Sequence, residues 1–169
     1  MAFKRNQVNK RVFLDLKKRS SVGILFYLLT SCLIVFVSRF HERHLFIALF
    51  FLLSIGSVSL FRLIHSFIVR KMGEHYEPLN QKILFASIIV GCLLWSTAYS
   101  LIMLQKNEFA VQILMTVCIC GLAAGGVVAF TPLRWLSVGF NVSMLLPASF
   151  TILLTGLNIP LAMLIFAYS

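Results

Sequence analysis

Long apolar blocks, uncharged save for Arg62 in the second, alternate with short clusters of Lys, Arg and Glu along this chain. A block of that length in lipid must satisfy its own backbone N–H and C=O groups, and an α-helix does so within the segment. The 169 residues are 60% hydrophobic and 12% charged, about half the charged share usual in soluble domains, and the mean hydropathy is +0.95. A water-soluble core cannot hide that much apolar surface. The sequence therefore predicts an all-α, polytopic transmembrane helical bundle.

Two regions follow. Residues 1–20 form a basic arm, with Lys4, Arg5, Lys10, Arg11, Lys17, Lys18 and Arg19 against Asp15; Val12, Phe13, Leu14 and Leu16 permit a short amphipathic surface helix. No small-residue cleavage site follows the first apolar block, so the arm does not read as a secretory leader. Residues 21–169 form the transmembrane domain, with spans at about 21–38, 45–69, 83–104, 109–130, 135–154 and 159–169. The stretch Arg70 to Lys82 reads as the longest internal polar loop, with Pro78 barring a continuous helix. Trp135 opens the fifth span at an interface, where tryptophan is favoured. Gly156 to Pro160 reads as a turn, and the nine residues after Pro160 reach only about 14 Å as a helix, half a crossing. The expected architecture is five full spans and a partial or truncated sixth, with a longer parent protein favoured over a genuine half-span.

Charge sets the expected orientation. The arm, Arg70, Lys71, Lys82 and Arg134 fall on one side, against Arg39, Arg43 and Lys106 on the other. The positive-inside rule then places the N-terminus in the cytoplasm of a bacterial cell, with the chain in the inner (plasma) membrane and the arm against anionic head groups. The net charge of +10 does not point to nucleic acid, because the basic residues precede the first span rather than striping a soluble face.

Candidate chemistry is sparse. Arg62 is the charged side chain inside a span, and His65 shares its helical face; an ionisable residue in a span is a candidate for ligand contact, although its long side chain can also snorkel to the head groups. A haem needs a second histidine at matching depth, and His41, His44 and His75 lie in loops; no cofactor is expected. Proton or sodium coupling needs buried carboxylates, and the spans carry none. Cys32, Cys92, Cys118 and Cys120 sit in apolar blocks as small hydrophobes and suggest no disulfide or metal site. No phosphate-binding loop, GxSxG, HExxH or paired catalytic carboxylates are present, so no catalytic residue is assigned.

Packing signals are clearer. Gly121 and Gly125 form a GxxxG, and Gly91 is a further small position in the third span; the same chemistry serves a tight intramolecular bundle or a homodimer seam. Trp95 and Tyr99 share a face of the third span, and Asn141 and Pro147 mark the fifth as unusual. Together with Gly125 they suggest an apolar cleft among the third, fourth and fifth spans that takes a small apolar ligand.

The runs GCLLWSTAYS (Gly91 to Ser100), GLAAGGVVAFTPL (Gly121 to Leu133) and MLLPASFTILLTGLNIPLAMLIF (Met144 to Phe166), with Arg62 ahead of the polar loop, resemble the N-terminal multi-helix membrane region of bacterial sensor histidine kinases and of related diguanylate cyclases. The resemblance implies a sensory or anchoring module of a two-component system, feeding a cytoplasmic kinase or, alternatively, a cyclase. It carries no ligand-binding residues over, and the kinase's own motifs are not in this chain. A different class, a small complete membrane protein that transports or scaffolds, stays open at this point.

Overall fold

The computed structural model describes residues 2–72, 77–105 and 108–155, though not the side chains of most of the arm and of the helix ends at 70–72 and 77–78. Six helices account for almost all of it: α1 Ala2–Val37, α2 Phe40–Arg43, α3 Leu45–Met72, α4 Glu77–Met103, α5 Phe109–Phe130 and α6 Arg134–Thr155. No strand occurs among the described residues. The segment expected at 159–169, and the turn before it, lie outside the described residues.

Four helices are long and apolar enough to cross a membrane: Leu45–Val69, Leu79–Met103, Phe109–Phe130 and Arg134–Leu154. The chain is thus a multi-pass, membrane-embedded helical protein. The first apolar segment, Val22–Val37, falls short of that length within the described residues. It is the upper part of a 36-residue helix that begins at Ala2, so the arm and the first span are one continuous helix rather than two elements. Nothing at Ser20 or Ser21 breaks it: passing from charged to apolar residues changes the helix's surroundings, not its backbone.

The polar loop expected over residues 70–82 is also shorter. Helix α3 continues to Met72 and α4 starts at Glu77, with Pro78 in its first turn, where the missing N–H costs no helical hydrogen bond. At the other end of the first span, α1 stops at Val37 and Arg39 adopts the left-handed conformation with φ 53°. Arg43 Nη2 reaches back to the carbonyl of Ser38 (3.2 Å), satisfying an acceptor freed where α1 ends.

Helix α4 is the centre of the bundle, touching α3, α5 and α6, and α1 closes the ring between α3 and α5. Its buried positions Phe85, Ile88, Cys92, Trp95, Tyr99 and Ile102 recur at three- and four-residue spacing. Trp95, with no exposed surface, lies edge-on to Phe51 of α3 (4.9 Å between centroids) and 6.1 Å from the ring of Tyr27 on α1. One turn further along the same face of α4, Tyr99 and Thr116 join it to α5 with a 3.1 Å hydroxyl pair. Thr116 spends its own proton on the carbonyl of Gln112 (2.8 Å), so Tyr99 is the donor to Thr116.

The outer surface is apolar: Leu25, Leu29, Phe46, Leu53, Phe67, Val117 and Leu154 are all more than half exposed. Hydroxyls on or near that surface turn inward along their own helices. Ser57 donates to Leu53 O (2.7 Å), Thr97 to Leu93 O (2.8 Å) and Thr131 to Val127 O (2.7 Å), which leaves no hydroxyl donor facing hydrocarbon at these positions.

Candidate functional site

A cavity of about 750 Å³ opens between α1 and α5, at the end of the bundle that carries Arg19. That volume lies within the range of small-molecule sites. On α1, Ser20, Gly23 and Tyr27 follow one another at three- and four-residue spacing, so they share the wall that faces α5. Gly121 and Gly125 do the same on α5. A Cβ added at Gly23, Gly121 or Gly125 would meet no atom within 4 Å, which shows that these glycines border open space rather than a packed helix. Gly126 behaves oppositely: its Cβ would run into the ring of Phe140, so it is the glycine that lets α6 approach α5.

Arg62 reaches the cavity from α3. It is 5% exposed, and its Nη2 donates to the carbonyl of Ser20 (3.3 Å) and to the Ser20 hydroxyl. The guanidinium carbon stands 6.0 Å from the centroid of the Tyr27 ring, within cation–π range. Its Nε is buried with no partner, and Arg62 has no carboxylate within ion-pair distance among the described residues. A cation held in apolar surroundings by one serine and one aromatic face is under-compensated. Arg19 Nη1, at the cavity's mouth, donates across to the carbonyl of Val128 (3.3 Å) and so ties α1 to α5 there.

A second polar cluster sits at the opposite end. Glu108, immediately before α5, is 4% exposed; one carboxylate oxygen lies 3.0 Å from Arg43 Nη1 and 3.3 Å from His44 Nε2, while Oε2 has no partner. Next to it, Gln112 Nε2 donates to the carbonyls of Met103 (3.3 Å) and Gln105 (2.9 Å) and caps the end of α4. This cluster fastens the α2 turn to the start of α5.

Only part of the sequence-predicted site comes together. Arg62 and Gly125 border one cavity, joined by Gly121. Trp95 and Tyr99 do not: both are sealed in the core, Trp95 against α1 and α3 and Tyr99 against α5. Asn141 donates back to Ser137 O (3.0 Å), leaving Oδ1 buried without a partner, and it does not line the cavity. Pro147 lies inside α6, which runs unbroken past it; Thr151 uses the Pro147 carbonyl (2.9 Å). The cavity has the first and fourth spans as its main walls, not the third, fourth and fifth. His65 stacks on Phe61 (6.1 Å, 16°) with Nε2 buried and unpartnered, away from the cavity. A Cβ added at Gly91 would stand 3.8 Å from Val58 Cγ1, an ordinary packing distance, whereas at Gly121 and Gly125 it would meet nothing within 4 Å among the described residues.

Sequence reading missed Ser20, Gly23, Tyr27 and Glu108. The first three carried a signal, a small–small–aromatic face at helical spacing on the first span. Glu108 carried little, since an acid at a span boundary ordinarily faces water. No cluster of metal-ligating side chains occurs among the described residues. Comparison with known proteins returns no matching family model, no matching curated protein and no matching solved structure.

Proposed function

We propose that the chain is the membrane-embedded sensory and anchoring domain of a bacterial sensor histidine kinase, seated in the inner membrane with its arm in the cytoplasm. In this reading α1 is a fifth full span: the uncharged run from Ser20 to Ser38 reaches about 28 Å, close to the hydrocarbon thickness. In this reading the bundle passes its stimulus to a cytoplasmic kinase domain outside this chain.

One observation carries the reading: the helix that walls the cavity, α1, is the same unbroken helix that forms the basic arm. A change in how α1 sits against α5 moves both ends of one rod. A ligand shifts such a bundle only if it binds two arrangements with different affinity, and a cavity on the α1–α5 seam is placed to do so. The resemblance of the third to sixth spans to kinase membrane regions supports the output class. The lack of carboxylates in the described spans speaks against ion-coupled transport.

The test has two parts. The reading frame after the Ser169 codon is expected to continue into a phosphoacceptor-histidine box and ATP-binding glycine boxes; a stop codon there overturns the proposal. In the whole protein, Gly125→Leu, which projects a side chain into the cavity, is expected to change the rate of ATP-dependent autophosphorylation in membranes several-fold. An unchanged rate, with normal insertion, removes the cavity from the signalling path.

A further inference from the structure

The cavity has a chemistry of its own, independent of any output domain. Its head is a buried guanidinium with an unpartnered Nε, and its floor is bare backbone at Gly121 and Gly125. From Ser20 to Thr30 the α1 wall extends about 15 Å, at ~1.5 Å per residue. The shape is a trough along α1 with one charged end, where Arg62 meets Ser20.

We propose that this trough binds a long-chain carboxylate, an anionic single-chain amphiphile, with its head group on Arg62 and its acyl tail along the glycine floor of α5. Charge decides the head. Arg62 forms no ion pair among the described residues, so an incoming anion supplies a counter-charge that those residues do not. Chemistry favours a carboxylate: Ser20 engages only Nη2, and a planar guanidinium pairs with a flat carboxylate. Removal of both Cβ atoms from the α5 wall suits the tail, because a flexible methylene chain can lie directly against backbone there. The Arg19 contact at the mouth and the neighbouring basic residues draw anionic amphiphiles to that end of the bundle.

The ligand assignment rests on the cavity, not on the signalling reading, so binding without any change in phosphorylation overturns the signalling reading alone. The test uses the full chain in phosphatidylcholine nanodiscs, one copy per disc, with a palmitate carrying a photoactivatable diazirine on its tail. Crosslinks are expected on peptides of α1 and α5 covering Val22 to Thr30 and Cys118 to Ala129. Palmitate is expected to compete at least tenfold better than methyl palmitate. Arg62→Gln is expected to lower labelling at least tenfold, and Gly125→Leu to abolish it. Helical circular dichroism and a monodisperse elution peak establish that each variant is folded; Gly125→Leu has open space to enter. Equal competition by methyl palmitate, or unchanged labelling in Arg62→Gln, overturns the proposal. So does stronger competition by phosphatidylglycerol, which assigns the trough to a diacyl lipid. Labelling that disappears when discs hold two copies assigns it to a second copy and overturns it equally.

Discussion

Arg62 of α3 donates to Ser20 of α1 through the serine's carbonyl and its hydroxyl together, spanning 42 residues of sequence. That pair fixes the angle at which α1 leans on α3 and leaves the guanidinium's Nε without a partner. Because the cation is buried and under-compensated, its removal and the removal of its acceptor have opposite expected effects. Arg62→Met deletes an unpaired buried charge and is expected to leave the detergent melting temperature unchanged or raise it. Ser20→Ala keeps the charge and removes one acceptor, and is expected to cost about 1 kcal/mol. A large loss in Arg62→Met would show that Arg62 is held by more than Ser20 and Tyr27.

The two kinds of glycine on α5 separate cleanly under substitution. Gly126→Ala drives a methyl into the Phe140 ring, which Phe130 of the same helix also contacts at 5.0 Å between centroids, and is expected to cost about 1–3 kcal/mol. Gly121→Ala and Gly125→Ala meet open space and are expected to be neutral or slightly stabilising, since alanine is the better helix former. Thermal unfolding of the three variants, in one detergent, checks both halves.

Glu108 is buried and Arg43 half-exposed, so the pair is asymmetric. Arg43→Ala strands a buried carboxylate on His44 alone and is expected to cost about 1–2 kcal/mol, discounted for the exposure of Arg43. Adding Glu108→Gln to it removes the stranded charge and is expected to recover most of that loss. A double-mutant cycle on melting temperatures measures the coupling, and additive losses would contradict it.

Tyr99→Phe removes the donor that Thr116 accepts and leaves a hydroxyl that is still satisfied by Gln112 O. Its expected cost is about 0.6–1 kcal/mol, the scale of interhelical hydrogen bonds in membranes. Trp95→Ala opens a void where three helices meet and is expected to cost about 3–5 kcal/mol. Should the two rank in the reverse order, the core would not centre on Trp95.

Helix existence was legible in the sequence because lipid imposes it: length and absence of charge mark α3 to α6 with small errors at the ends. Adjacency was not. In a soluble helix the buried face is the apolar one, but here Leu25 faces outward and Ile24 inward with the same kind of side chain, so periodicity does not distinguish neighbour from lipid. The α1–α5 contact, and with it the cavity, was hidden for that reason. Arg62 and Gly125 were found because a charge and a glycine stand out against such a background; Trp95 stood out equally and turned out to be core. Continuity of α1 through Ser20 was obscured by the change in composition there, which marks a change of solvent and not a change of fold.

The meeting of Tyr27, Phe51 and Trp95 also orders the making of the bundle. Synthesis runs from the N-terminus, so α1 and α3 reach the membrane first, with Tyr27 and Phe51 bordering a place that only α4 fills. Until Trp95 arrives the first two apolar helices are an open hairpin, and after it arrives α5 and α6 assemble on the free side of α4. The seam between α1 and α5 joins the first helix to one made only after α3 and α4 lie between them in the chain.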